Sequence, residues 1–185
     1  EMCRKVAEAK RVDPATGNEK ESDDKWRAIY ILGQIHHSLG EAAEAIKECR
    51  RVEDRFADAK QSIEYFTRKE IEIPEVTTVE PDKPVEVELK YRNIPECDTK
   101  VYRIDLMKFG LMKRDLQGIT QINLAGIRPY HEATIKLGDG KDYRDCTKEV
   151  PLPLKEDGAY LVVCRGENLY ASGLVLVTPL AVEVQ

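Results

Sequence analysis

Residues 32–46 read Leu-Gly-Gln-Ile-His-His-Ser-Leu-Gly-Glu-Ala-Ala-Glu-Ala-Ile, and this stretch decides the first half of the fold. Two Leu-Gly pairs, Leu32-Gly33 and Leu39-Gly40, stand seven residues apart and are followed by Ala45-Ile46. The pattern describes two helices meeting at close range. Gly33 and Ala45 are small enough for backbones to approach, while Leu32, Leu39 and Ile46 fill the space around them. Gly40 marks the turn between the helices.

Working outward, Trp26, Ile29, Leu32, Gly33 and His36 recur at helical spacing and predict a helix ending at Gly40. Ser22, followed by Asp23 and Asp24, is a sensible start, because a hydroxyl caps free amides and acids suit the dipole. Ala42, Ala45, Ile46, Cys49, Val52 and Phe56 form the face of the next helix. Ala59, Ile63 and Phe66 mark a last one running to about Lys69. Upstream, Cys3, Val6, Ala9 and Val12 predict a first helix stopped by Asp13-Pro14. Residues 15–25 are polar, carry Gly17-Asn18, and read as an exposed loop.

After Ile71 the period becomes two. Val85, Val87, Leu89 and Tyr91 alternate with Glu86, Glu88, Lys90 and Arg92, a half-buried strand. Tyr102, Ile104 and Leu106 alternate with Arg103 and Asp105 in the next. Further strands are expected over residues 132–137, 148–154, 159–165 and 170–177, with Pro and Gly in the gaps. Residues 113–127 interrupt the pattern and predict a short helix. The fold class is therefore α+β in two segregated parts: a helical hairpin region over residues 1–70 and an antiparallel β-sandwich over residues 71–185.

With 185 residues, 42% of them hydrophobic and 34% charged, the composition is that of a globular chain. A net charge of -5 argues against a nucleic-acid partner, which usually needs a basic face. No apolar run approaches the roughly 18 residues of a membrane span. The chain opens on Glu1 inside a helical pattern, as an excised segment would, so a targeting signal is not expected within it. The five cysteines are Cys3, Cys49, Cys97, Cys146 and Cys164, an odd number with no Cys-x-x-Cys spacing. Cys49 and Cys164 occupy apolar positions and read as core thiols. Cys97 and Cys146 fall near strand ends, where a bridge between them is the alternative to two free thiols.

The helical half resembles the tetratricopeptide repeat. Leu32, Gly33, Gly40, Ala45 and Ile46 match its landmark positions, and Ala9 through Pro14 is similar to the close of an earlier repeat. The loop at 15–25, Cys49 in place of an aromatic, and the lack of a proline after Phe56 depart from the pattern. The resemblance implies that the first helix of each pair lines a concave face able to hold a peptide. Here that face would be Arg27, Tyr30, Gln34 and His37. The β half resembles a macroglobulin-like domain of bacterial alpha-2-macroglobulin-type proteins. The stretches that carry this are Val85 to Pro95, Lys100 to Asp105, Leu152 to Val163 and Ala171 to Val177. Glu156-x-Gly158-x-Tyr160 is also similar to the tyrosine corner of immunoglobulin-like sandwiches, in which a phenol bonds back to backbone. This resemblance implies a structural module outside the cytoplasm, in the periplasm or cell envelope, although five cysteines without evident pairing pull the other way. That family's reactive thioester needs Cys-x-Glu-Gln, which none of these cysteines begins.

Candidate chemistry is sparse. His37 and Glu41 lie one helical turn apart, but adjacent His36 and His37 point about a quarter-turn apart and do not suit one ion. His131 and Cys164 have no neighbouring partner that would make a Cys–His nucleophile. Asp139, Asp142 and Asp145 share a loop with Lys141 and Arg144, where turn chemistry explains the acids better than calcium. Gly138-Asp-Gly140 lacks the lysine and helix of a phosphate loop. Lys108, Lys113, Arg114 and Arg128 are scattered among acids and make no polyanion site. No metal and no cofactor are expected. The reading is a non-catalytic interaction and scaffolding segment of a larger bacterial protein, with a protein or peptide partner. Its alternatives are a carbohydrate-binding sandwich using Tyr130, Tyr143 and Tyr170, or a hydrolase at the junction of the two parts.

Overall fold

The structure is a computed structural model that describes residues 1–106 and 126–179. The chain divides into two compact units, Glu1–Arg68 and Lys69–Gln185.

The first unit holds α1 (Met2–Glu8), β1 (Lys10–Val12), β2 (Glu19–Glu21), α2 (Lys25–Ser38), α3 (Ala42–Arg50) and α4 (Ala57–Thr67). The expected first helix is shorter than its apolar spacing suggests. Ala9 turns to an extended backbone, and Lys10 to Val12 pair antiparallel with Glu19 to Glu21. The end of the expected helix and the expected exposed loop thus form the two strands of a hairpin. Asp13 accepts the Ala15 amide at 2.9 Å, Gly17 takes φ +68°, and Lys20 pairs with Asp13 at 2.7 Å. Those local bonds compete with helix continuation and win, because an Asx turn and a left-handed glycine favour reversal. Ser22 accepts the Asp24 amide at 3.3 Å just before α2 begins. At the other end of α2, Gly40 takes φ +75°. Its amide bonds the His37 carbonyl at 3.0 Å and the Glu41 amide bonds that of His36 at 2.9 Å. These two bonds are the Schellman closure that lets α3 fold back.

Ala28, Ile29 and Leu32 of α2 are buried with Ala7 of α1, Cys49 of α3, Val52 of the turn that follows it and Ala59 of α4 in one apolar cluster. Gly33 is the closest approach. A Cβ there would stand 2.9 Å from the Cys49 sulfur, and Ala45 beside it is fully buried.

The second unit contains β3 (Glu70–Glu72), β4 (Val76–Val79), β5 (Val85–Arg92), β6 (Glu96–Ile104), β7 (His131–Lys136), β8 (Cys146–Leu152), β9 (Gly158–Gly166) and β10 (Leu169–Val177). They form a five-stranded sheet, β4-β10-β9-β6-β7, and a three-stranded sheet, β3-β5-β8. All pairings are antiparallel except β4 with β10. The chain leaves one sheet after β3 and joins the other as β4. Between the sheets Val85, Val87 and Leu89 meet Val150, Leu152, Tyr160, Val162 and Val175. Two strands, β3 and β4, were not expected, since each is only three or four residues long. The helix expected over residues 113–127 lies, but for its last two residues, outside the described residues, as do Lys108, Lys113 and Arg114.

One reading of facing is corrected. Tyr102, Ile104 and Leu106 were expected as the inward face of their strand. The strand begins six residues earlier, at Glu96, and its core face is Cys97, Thr99 and Val101. Ile104 and Leu106 lie instead with Ala159, Leu174 and Leu176 in a separate apolar cluster. Over residues 96–101 exposed and buried positions alternate, and then Val101 and Tyr102 are both buried, so the phase of the pattern shifts at the very point where the expected strand begins.

Tyr160 is fully buried, and its hydroxyl donates to the Glu156 carbonyl at 2.8 Å. This is the tyrosine corner expected from Glu156-x-Gly158-x-Tyr160. With the two-sheet strand order it makes the second unit an immunoglobulin-like β-sandwich. Tyr160→Phe leaves that carbonyl without its phenol donor and is expected to lower the unit's stability by about 1 kcal/mol. The check is the chemical denaturation midpoint, where an unchanged value would show that the bond carries no weight.

Candidate functional site

Arg27, Tyr30, Gln34 and His37 stand on successive turns along one side of α2, because steps of three and four residues keep a face. The structure sets that side next to α4. Tyr30 is half-buried, stacks on Phe56 with ring centroids 4.7 Å apart, and donates to Asp58 at 3.3 Å. Burial, and then the Asp58 carboxylate, hold its phenol above the usual pKa. His37 meets buried Phe66 of α4 edge-on at 4.7 Å and lies 6.1 Å from Tyr65. Half of the expected face therefore fastens α2 to α4, the chain's own next helix but one.

Arg27 is exposed and Gln34 is half-buried on the open side of these contacts. Beside them Ile31 and Ile35 remain 39% and 42% exposed, which sequence spacing alone did not single out. Tyr65 of α4 is likewise exposed, with the Arg68 guanidinium 4.9 Å over its ring. On this side α2 presents two apolar side chains, a guanidinium and an amide, and its Tyr30 and His37 rings meet those of Phe56, Tyr65 and Phe66. Surfaces of this composition suit an interface, where Arg and aromatic anchors dominate the energetics.

The alternative sites fare differently. His36 Nδ1 contacts the Glu41 carboxylate at 2.5 Å, while His37 is engaged with Phe66, so the two imidazoles serve separate contacts. His131 pairs across from Val101 on β7, two strands away from Cys164 on β9, and the structure does not bring them together. Asp139 accepts the Lys141 amide at 2.9 Å in an Asx turn. Asp145 pairs with buried Arg92 at 2.8 Å, whose other nitrogen donates to the Tyr143 carbonyl. Asp139 and Asp145 are thus used in shaping their own loop. Arg128 is exposed. Tyr130 lies edge-on to Tyr160 near the Val101 end of β6, whereas Tyr170 sits under Arg165 on β10 and Tyr143 is half-buried in the loop. The three rings do not line one platform.

Cys97 and Cys146 are both free thiols. Cys146 lies on β8 opposite Tyr91, in the three-stranded sheet. Cys97 has a different neighbour, Cys164, across the β6–β9 pairing, which the spacing of cysteines along the chain could not reveal. Among the described residues no three His, Cys, Asp or Glu side chains gather as metal ligands, and no helix is long and apolar enough to cross a membrane.

No family model matches the chain, and no curated protein sequence matches it. Among solved structures it is similar to native alpha-2-macroglobulin from Escherichia coli spanning domains MG0-NIE-MG1, over 60% of this chain at 14% identity, with a TM-score of 0.44. The match spans 39% of that Escherichia coli chain. It is also similar to the CARDB domain of the PF1109 protein from Pyrococcus furiosus, over 60% of this chain and 88% of that one, at 15% identity and a TM-score of 0.32.

Proposed function

We propose that this chain is a non-catalytic protein–protein interaction and scaffolding segment of a larger bacterial protein, of the alpha-2-macroglobulin type, exposed to the periplasm or cell envelope. The helical unit, read as a divergent tetratricopeptide repeat, offers the open side of α2 to a protein or peptide, and the sandwich acts as a structural module. The observation that carries this reading is the stretch of exposed Arg27, Ile31 and Ile35 with half-buried Gln34 on α2, whose His37 end meets Tyr65 of α4. Tyr30 and His37 support it from beneath by holding α4 in place. The bacterial alpha-2-macroglobulin attribution rests on the sequence stretches in β5, β6, β9 and β10.

The test begins with a photo-crosslinking residue at position 27 or 34 in the producing cell, which identifies what touches the face. Affinity for that partner is then compared between the chain and Arg27→Ala with Gln34→Ala. Two interface anchors lost together are expected to weaken binding at least about tenfold, equivalent to roughly 1.4 kcal/mol. Thermal unfolding should change little, because Arg27 is exposed and Gln34 is only half-buried. Undiminished affinity would leave the helices as a brace alone.

A further inference from the structure

The second unit buries two thiols side by side. Cys97 on β6 and Cys164 on β9 are 0% and 1% exposed, and both sulfurs reach the same Thr99 hydroxyl. Both belong to the core face. Cys164 is registered against Thr99, and Cys97 stands two residues before Thr99 on the same strand, hence on the same side of the sheet. The Thr99 hydroxyl, also buried, lies 3.7 Å from the Cys164 sulfur and 3.9 Å from that of Cys97. We propose that Cys97 and Cys164 form a disulfide across β6 and β9 when the chain folds in contact with a low-molecular-weight disulfide.

The two cysteines are diagonal neighbours across the β6–β9 pairing. Diagonal residues stand about 7–8 Å apart, so closing an S–S bond of about 2.05 Å draws the two strands together locally, within one sheet and before it is sealed. In the exchange, the Cys97 thiolate attacks one sulfur of the reagent, giving a mixed disulfide and releasing one reagent thiol. The Cys164 sulfur then attacks Cys97, the protein S–S bond forms, and the second reagent thiol leaves. The protein loses two thiol hydrogens and the reagent gains them. Either cysteine can take the first role, because the attack precedes the burial of both sulfurs. With both sulfurs sealed in the finished core, the exchange belongs to the folding chain, before the sheets close. An oxidising compartment would close the pair and the cytosol would keep it open. The inference is independent of the helical face.

The experiment refolds the full reduced chain in a glutathione redox buffer, then denatures it and titrates thiols. Three of the five cysteines are expected to remain reactive. Unreduced peptide mapping should recover one linked pair, Cys97 with Cys164. The oxidised chain should also unfold at higher denaturant than the reduced one. Five reactive thiols, or a link from Cys146 to either residue, would overturn the proposal. In Cys164→Ser, four thiols should stay reactive with no link formed; should that variant not fold, the peptide map of the unaltered chain decides alone.

Discussion

Gly173→Ala is expected to unseat β4 and lower the stability of the sandwich by about 3–5 kcal/mol, among the larger effects a single methyl group produces. The reason lies in how the chain changes sheets. β3 pairs with β5 in one sheet, and four residues later β4 pairs parallel with β10 in the other. The connecting residues cross β10 where it carries Gly173. A Cβ at that position would run into the Pro74 carbonyl oxygen and come within 3.3 Å of the Ile73 side chain. A flexible side-chain tip could swing aside, but a carbonyl cannot move without its peptide plane. The neighbouring Leu174 amide bonds the Glu75 carbonyl at 2.8 Å, so the clash and the first bond of the parallel ladder occupy adjacent residues. Relief must come from losing that ladder. Backbone amide exchange at Leu174 and Thr178, which bond Glu75 and Val79, should accelerate along with the fall in unfolding midpoint. An unchanged midpoint would mean that the crossing residues are not held against β10.

The crossing shows where sequence reading ends. β5, β8, β9 and β10 are legible because each is seven to nine residues long and contains buried aliphatic residues, enough for a period or an apolar run to register. β3 and β4 are not: three and four residues carry too few alternations, and their order depends on a long-range choice between sheets. The β1–β2 hairpin is hidden for another reason. Its strands, Lys-Arg-Val and Glu-Lys-Glu, are wholly exposed, so no buried face marks them and only the Asx turn at Asp13 and Gly17 betrays the reversal. On the candidate face, the placement of Arg27, Tyr30, Gln34 and His37 along one side of α2 follows from helical spacing. That Tyr30 and His37 are spoken for by Asp58, Phe56 and Phe66 does not, since those partners lie some twenty to thirty residues on. The Cys97–Cys164 neighbourhood is a matter of strand register in the same way.

Gly33 offers the second large effect, and a sign that can be reversed. Gly33→Leu is expected to abolish cooperative unfolding of the helical unit, removing about 3 kcal/mol or more from a unit whose whole stability is of order 3–10 kcal/mol at its length. The far-UV helical signal should then melt early while the sandwich transition stays in place. Gly33→Ala separates the contributions. On an open helix that change would stabilise by up to about 1 kcal/mol, because alanine loses less backbone entropy than glycine. Here its Cβ would lie 2.9 Å from the Cys49 sulfur, and overpacking of that kind costs about 1–3 kcal/mol, so the clash outweighs the propensity. With Cys49→Ala the sulfur is gone. The next atoms are the Cys49 amide nitrogen at 3.6 Å and the Ala45 carbonyl at 3.7 Å, both ordinary contacts. In that background Gly33→Ala should be neutral or stabilising. A double-mutant cycle reads the difference directly. If Gly33→Ala destabilises equally with and without the sulfur, the approach of α2 to α3 is not limited by Cys49, and the packing account of the Leu32-Gly33 pair is wrong.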